Sequence, residues 1–268
     1  MIQHRQRALE TPSSSLRHTY DTIVREVQFR AGPLVGMSPV ALRARTEPLR
    51  TQLRNSSVNS ANIADAFALI RESARRSLGV AHYDTQLIAA WIMLHNRIAE
   101  MAIGEGKTLA VSLAAATAAL SGVPVHVVTA SDYLAERDAN YLRPLYAALG
   151  LTLGTVTHTA DADQRRAAYA CDITYCTAKE LVFDYLRDQV GPQHRQAGTR
   201  PDAARLPLEH GAAQASLLRG LWMVVVDDAE ASRRARVVCT KVPRATAHHA
   251  ATLPLSTQAE PSFGHSGH

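Results

Sequence analysis

Gly104-Glu105-Gly106-Lys107-Thr108 is the stretch of this 268-residue chain whose residue types, taken together, can do chemistry. Two glycines let a backbone approach oxygen atoms closely and turn successive N–H groups into an anion nest; a helix starting there adds its positive end. Lys107 can then reach the β- and γ-phosphates of a nucleotide, and the Thr108 hydroxyl is a natural Mg²⁺ ligand. The usual phosphate-loop pattern has a further Gly five residues before the Gly-Lys pair, and here Met101 stands there. The pentapeptide alone therefore also serves as an ordinary Gly-rich turn. Lysine usage favours the phosphate reading: 26 of the 29 basic residues are Arg, and only Lys107, Lys179 and Lys241 are Lys.

Asp227 and Asp228 close the apolar run MVVV. A carboxylate at the C-terminal edge of a parallel strand beside a phosphate loop can hold Mg²⁺ through water, and a second can polarise the attacking water. Acidic pairs also end strands at plain turns, so the weight comes from the combination with GEGKT. No other cluster competes. His95 and His126 are isolated and read as structural, and His248, His249, His265 and His268 sit in an aperiodic tail. Cys171 and Cys176, five apart, would face opposite sides of one extended strand, which argues against a shared metal or a disulfide.

These residues need elements to position them. Residues 1–36 are polar and irregular and read as a flexible arm with one helix near Tyr20–Phe29. Ser38-Pro39 reads as an N-cap followed by Pro at the first helical position, in a helix that Pro48 kinks or ends. ANIADAFALIRESARRSLG is amphipathic and stops at Gly79, and DTQLIAAWIMLHN is apolar nearly all round. From Arg97 onward short apolar strands alternate with helical stretches, ending in the strand LWMVVVDD. That alternation predicts an α/β fold with a mainly parallel sheet flanked by helices, over residues 37–240. The tail, 241–268, reads as disordered.

Composition bounds the rest. A hydrophobic fraction of 46% supports a core and excludes a wholly disordered chain. No run approaches the ~18 apolar residues of a membrane span, and the start, MIQHRQRALETPSSS, lacks an apolar export core. With only 3 Cys, the sequence fits a reducing cytoplasm. The net charge of +5 is uneven: residues 1–80 carry 12 Arg against 6 Asp and Glu, and the remainder is close to neutral. Such a basic segment suits a solvated face, an acidic partner, anionic lipid or nucleic acid. Aromatic residues are 5% and do not interleave with basic ones, which disfavours single-strand nucleic-acid binding.

HYDTQLI, RIAEM, GEGKTL, PVHVVTASDYLAERDA, PLYAALGLTLG, RRAAYACDITYCT and FDYLRD occur in that order. The series resembles the first nucleotide-binding domain of the SecA preprotein translocase ATPase family, over about residues 38–189 and again at the Asp227 strand. The resemblance implies a RecA-like, DEAD-like P-loop fold preceded by N-terminal helices, with ATP and Mg²⁺ as cofactors. Carried over by position, Gln86 resembles the residue that reads the adenine edge. Gly104, Glu105, Gly106, Lys107 and Thr108 resemble the phosphate loop, with Thr108 also a metal ligand. Arg137 resembles an arginine on the nucleotide side, and Asp227 the Mg²⁺-coordinating aspartate.

The departures matter as much. Ile103 replaces the Thr that usually precedes GEGKT, and Cys176 takes a Gly place. The acidic motif is Asp227-Asp228-Ala229-Glu230, so Asp228 stands where a water-activating Glu is expected. Its carboxylate falls short by one methylene, about 1.5 Å, and a misplacement of ~1 Å can cost ~10²-fold in rate. The chain is also expected to stop near the family's preprotein-binding insertion, without the second motor domain. An arginine supplied across such a cleft is worth roughly 10³–10⁵ in phosphoryl-transfer enzymes.

The leading expectation is thus an ATP-binding, SecA-like protein of preprotein export with little or no autonomous ATPase activity. Its implied partners are the Sec translocon channel, a full-length SecA-type partner or a preprotein. The implied place is the cytoplasm, peripheral at the inner face of the plasma membrane, where an anionic surface suits the basic segment better than nucleic acid does. The competing expectations are a non-enzymatic interaction module, a helicase-like nucleic-acid binder supported only by the basic segment, and a degenerate translocase fragment.

Overall fold

The computed structural model describes residues 14–55, 59–190, 217–227 and 236–241. Helices come first. α1 (Ser14–Val35) packs chiefly on α4 (Ser60–Ser77), with α2 (Pro39–Ala44) and α3 (Thr46–Asn55) between them in sequence. The arm expected over residues 1–36 is thus, from Ser14, one long helix. Ile23, Val27 and Leu34 are buried on one side of it, a stripe too sparse to stand out among its polar neighbours. Ser38 caps α2 as expected, its hydroxyl accepting from the Ala41 N–H with Pro39 at the first helical position. The break falls at Arg45, ahead of Pro48, which sits in the first turn of α3.

The end of α1 is held by chemistry that composition hides. Arg76 donates from Nη1 to the Met37 carbonyl at 2.7 Å and from Nη2 to the Leu34 carbonyl at 2.9 Å. Glu72, buried on the same helix, fixes the guanidinium at 2.6 Å, and its Arg75 and Arg76 partners hold its carboxyl below the usual range. A cation at this C-terminal end, where the Leu34 carbonyl also accepts the Met37 N–H, complements the helix dipole.

After α5 (Asp84–Leu94), strands and helices alternate: β1 (Ile98–Glu100), α6 (Lys107–Leu120), β2 (Val125–Thr129), α7 (Asp132–Ala148), β3 (Leu153–Thr155), α8 (Ala162–Tyr169), β4 (Ile173–Thr177) and α9 (Ala178–Val190). β5 (Met223–Val226) and β6 (Arg236–Lys241) complete a sheet in the order β1-β6-β5-β2-β4-β3. The four strands β5, β2, β4 and β3 are parallel, flanked by helices, which is the α/β, RecA-like arrangement expected. β6 departs from it, running antiparallel to both β5 and β1. Because β1 and β5 are each antiparallel to β6, they point the same way and end on the same edge. Lys241 closes β6, and the tail expected to be disordered lies beyond it, outside the described residues.

Two polar devices tie the far half together. Arg165 is buried among the carboxylates of Asp184 (2.8 Å) and Glu180 (2.6 Å) and also donates to the Thr157 carbonyl. Tyr169 donates its hydroxyl to Asp184 at 2.9 Å. Asp188 accepts the N–H groups of Leu217 and Leu218 at 2.9 and 2.8 Å, seating the chain that leads into β5. Asp184→Ala leaves Arg165 buried without one of its anions, and thermal unfolding should show a loss of about 3–5 kcal/mol. Asp188→Ala should cost less, because its partners are two main-chain donors nearer the surface.

Candidate nucleotide site

The GEGKT segment joins β1 to α6, as its residue types require. Gly104 (φ 92°) and Gly106 (φ 76°) both have left-handed backbones, which a side chain would strain. Between them Glu105 closes the turn twice: its N–H donates to the Ala102 carbonyl at 3.3 Å and its carboxylate accepts from the Ala102 N–H at 2.9 Å. Gly106 is the N-cap of α6, and no side chain caps that helix. The N–H groups of the half-buried Lys107 and Thr108 are thereby left for an anion, while the Leu109 N–H donates to the Gly106 carbonyl at 3.0 Å. Ile103, which replaces a hydroxyl-bearing residue of the expected pattern, is 81% exposed at the loop's rim.

The loop is braced from the start of α5. Gln86 is buried, accepts the Tyr83 N–H at 3.0 Å and donates from Nε2 to the Glu105 carbonyl at 2.8 Å. A Cβ on Gly106 would lie 2.3 Å from that Nε2, so the glycine is needed for close approach as well as for φ. Gln86 therefore stands against the Gly104–Thr108 loop with both amide atoms engaged. His82, which sequence reasoning passed over, lies one turn away; its Nε2 donates to the Leu109 carbonyl at 3.2 Å. Its only cue in the sequence is its place beside Tyr83-Asp84-Thr85-Gln86.

Asp227 follows β5 at the edge where β1 ends, and its N–H donates to the Val128 carbonyl of β2 at 2.8 Å. β6 lies between the two strands, so β5 is two inter-strand spacings, about 10 Å, from β1. Arg137 is on α7, half-exposed and paired with the buried carboxylate of Asp138 at 2.7 Å. Beneath them Tyr146 and Tyr175 share a buried hydrogen bond of 2.9 Å. Burial pushes both phenols up, the Asp138 charge adds to each, and that of Asp227 adds to Tyr175. The Arg137 partner and Asp227 thus share the neighbourhood of Tyr175. Asp228 lies outside the described residues.

The family assignment rests on more than this loop. The SecA DEAD-like domain family matches residues 5–232. The chain belongs to the SecA family. "Protein translocase subunit SecA 2" of Bordetella avium is 45% identical over 208 residues, which are 78% of this chain and 32% of that protein. "Protein translocase subunit SecA 3" of Magnetococcus marinus is 45% identical over 196 residues, 72% of this chain and 29% of its own length. "Protein translocase subunit SecA" of Rhodopseudomonas palustris is 44% identical over 184 residues, 69% of this chain and 19% of that protein. The SecA-family chain described here thus spans about a third or less of the relatives' length.

Two consequences of this packing are measurable. His82 and His126 are both buried with Nδ1 lacking a partner, so a second proton would be an unpaired buried charge. Burial lowers each from the ordinary 6.5 to about 4. Their folded values lie below the unfolded ones, so the stability they contribute is present above pH 6.5 and is lost as pH falls towards 4. Denaturant unfolding should show a loss of about 2 kcal/mol per histidine between pH 7.5 and 5, and His126→Phe should flatten that slope. Gly106→Ala should cost about 1–3 kcal/mol; adding Gln86→Ala should recover part of the loss, since it removes the clash and leaves the backbone strain.

Proposed function

We propose that this SecA-family chain binds ATP through Gly104–Thr108 and acts in protein translocation together with a partner. The observation that carries the reading is the uncapped first turn of α6, set behind two left-handed glycines with Lys107 and Thr108 at its start. The same observation is the test of fit for the nucleotide, since backbone donors without a side-chain cap suit a phosphate. Lys107 would pair with the β- and γ-phosphates. Thr108 and Asp227 would hold Mg²⁺, which when bound neutralises phosphate charge.

Arg137 and Gln86 belong to the same proposal with different weight. Arg137 keeps half its guanidinium exposed while Asp138 orients it, so it can face a phosphate without leaving its partner. Gln86 spends one lone pair on the Tyr83 N–H and one N–H on the Glu105 carbonyl, and the second of each remains for an adenine edge. Asp228, one methylene shorter than the expected Glu, would polarise water poorly, which favours slow or absent turnover by the chain alone.

The names of the relatives supply the biological context: each of those named is a protein translocase subunit. The partners that fit are the translocon channel, a preprotein or a longer SecA-type chain bringing the remaining motor parts. No helix among the described residues is long and apolar enough to cross a membrane. The proposed site of action is the cytoplasmic face of the plasma membrane, with the basic N-terminal segment towards acidic lipid or an acidic partner. The alternative, a non-enzymatic interaction module, is favoured by Asp228 alone.

Fluorescent-nucleotide titration should show Mg²⁺-dependent binding that Lys107→Ala weakens at least tenfold, and equal affinity of the two proteins would overturn the reading. A purified chain hydrolysing ATP at motor-like rates, abolished by Asp227→Ala, would instead remove the interaction-module alternative.

A further inference from the structure

The strand beside the phosphate-loop strand comes from outside the stretch that matches the family. The SecA DEAD-like match ends at residue 232, and β6 covers Arg236–Lys241. β6 pairs Ile98 with Val238, Ala99 with Val237 and Glu100 with Arg236 on one side. On the other it pairs Met223 with Lys241, Val224 with Thr240, Val225 with Cys239 and Val226 with Val238. It is the sole link between β1 and the rest of the sheet among the described residues.

β1 is only three residues long and ends one residue before the loop that begins at Ala102. Its other support is packing on α5. A strand this short contributes few apolar contacts, with Ala99 buried and Ile98 56% exposed. Its place in the sheet thus depends on its ladder hydrogen bonds. Without β6, β1 and β5 would stand about two strand spacings, roughly 10 Å, apart, each with an unpaired edge. The antiparallel direction is equally telling, because antiparallel neighbours need no crossover helix between them.

We propose that residues 236–241 act as a sheet-completing strand supplied by this chain itself, which anchors β1 and so positions the phosphate loop and Asp227 relative to each other. The effect on nucleotide rests on the ATP-binding reading; the effect on β1 does not. Residues 236–241 are positioning residues, reaching the nucleotide only through the strand they hold.

The test compares the full chain with a version ending at residue 235 and with the full-length variant Val238→Pro, which breaks the ladder at the residue facing both Ile98 and Val226. Val238→Ile serves as the conservative control. Hydrogen exchange is followed at Ile98–Glu100 and, within the same molecule, at Ile173–Thr177 of β4. The expected result is loss of at least tenfold in protection at β1 with β4 unchanged, together with at least tenfold weaker ATP binding, and near-normal behaviour of Val238→Ile. Unchanged protection at β1 in both altered proteins would overturn the proposal. So would equal loss at β1 and β4, which would make β6 a general stabiliser. Failure of the unaltered chain to bind ATP would overturn the nucleotide reading alone, because the exchange comparison needs no ligand.

Discussion

The burial of α6 on every side is the constraint that the site inherits. All side chains from Ala110 to Leu120 are out of water, with α4 and α5 against one part of the helix and strands of the sheet against another. Such a helix must be made of small and apolar residues, and six of those eleven positions are Ala. Its two buried hydroxyls, Ser112 and Thr117, turn back onto the Leu109 and Leu113 carbonyls and ask nothing of their neighbours. A rod packed this way cannot slide, so its N-terminus stands at a fixed point on the sheet edge. Leaving that end without a side-chain cap concentrates unpaired N–H groups and the helix dipole at one place.

The helices before the sheet have a part in this that a plain α/β unit would not provide. α5 delivers Gln86 to the Glu105 carbonyl, and the residue two before that helix, His82, reaches the Leu109 carbonyl. Loop and helix start are therefore gripped from the same direction. α1 packs on α5 in turn, and the end of α1 is tied to α4 by Arg76 under the control of Glu72. The N-terminal helices, where the basic excess lies, are thus packed continuously with the element that braces the loop.

On the opposite flank the tie is ionic. Arg165, Glu180 and Asp184 join α8 to α9 in a buried cluster, and Asp188 at the end of α9 receives the chain at Leu217. Breaking such a pair costs more than forming it gains, because one charge is then left without solvent or partner. The cluster accordingly acts more as a specification of where α9 lies than as a source of stability. From that point the chain is committed to β5 and to placing Asp227 beside β2.

Local chemistry was legible wherever a residue acts on its own neighbours. Ser38-Pro39 started a helix and Gly79 ended one, because caps depend on a few adjacent residues. The alternation of apolar runs and helical stretches announced the four parallel strands, and GEGKT announced the loop between a strand and a helix. Its glycines did adopt left-handed backbones. What sequence could not supply was pairing between distant segments. The stripe of Ile23, Val27 and Leu34 becomes a core only when α4 covers it. Gln86 has the same amide wherever it points, and only its place beside Gly106 brings it onto the Glu105 carbonyl. The short run RVVCTK carries no mark of which strands it will join. Residue types and spacing determined the chemistry available to this chain; long-range packing and strand order decided where that chemistry stands, because backbone pairing is read in three dimensions and leaves almost no trace in side-chain pattern.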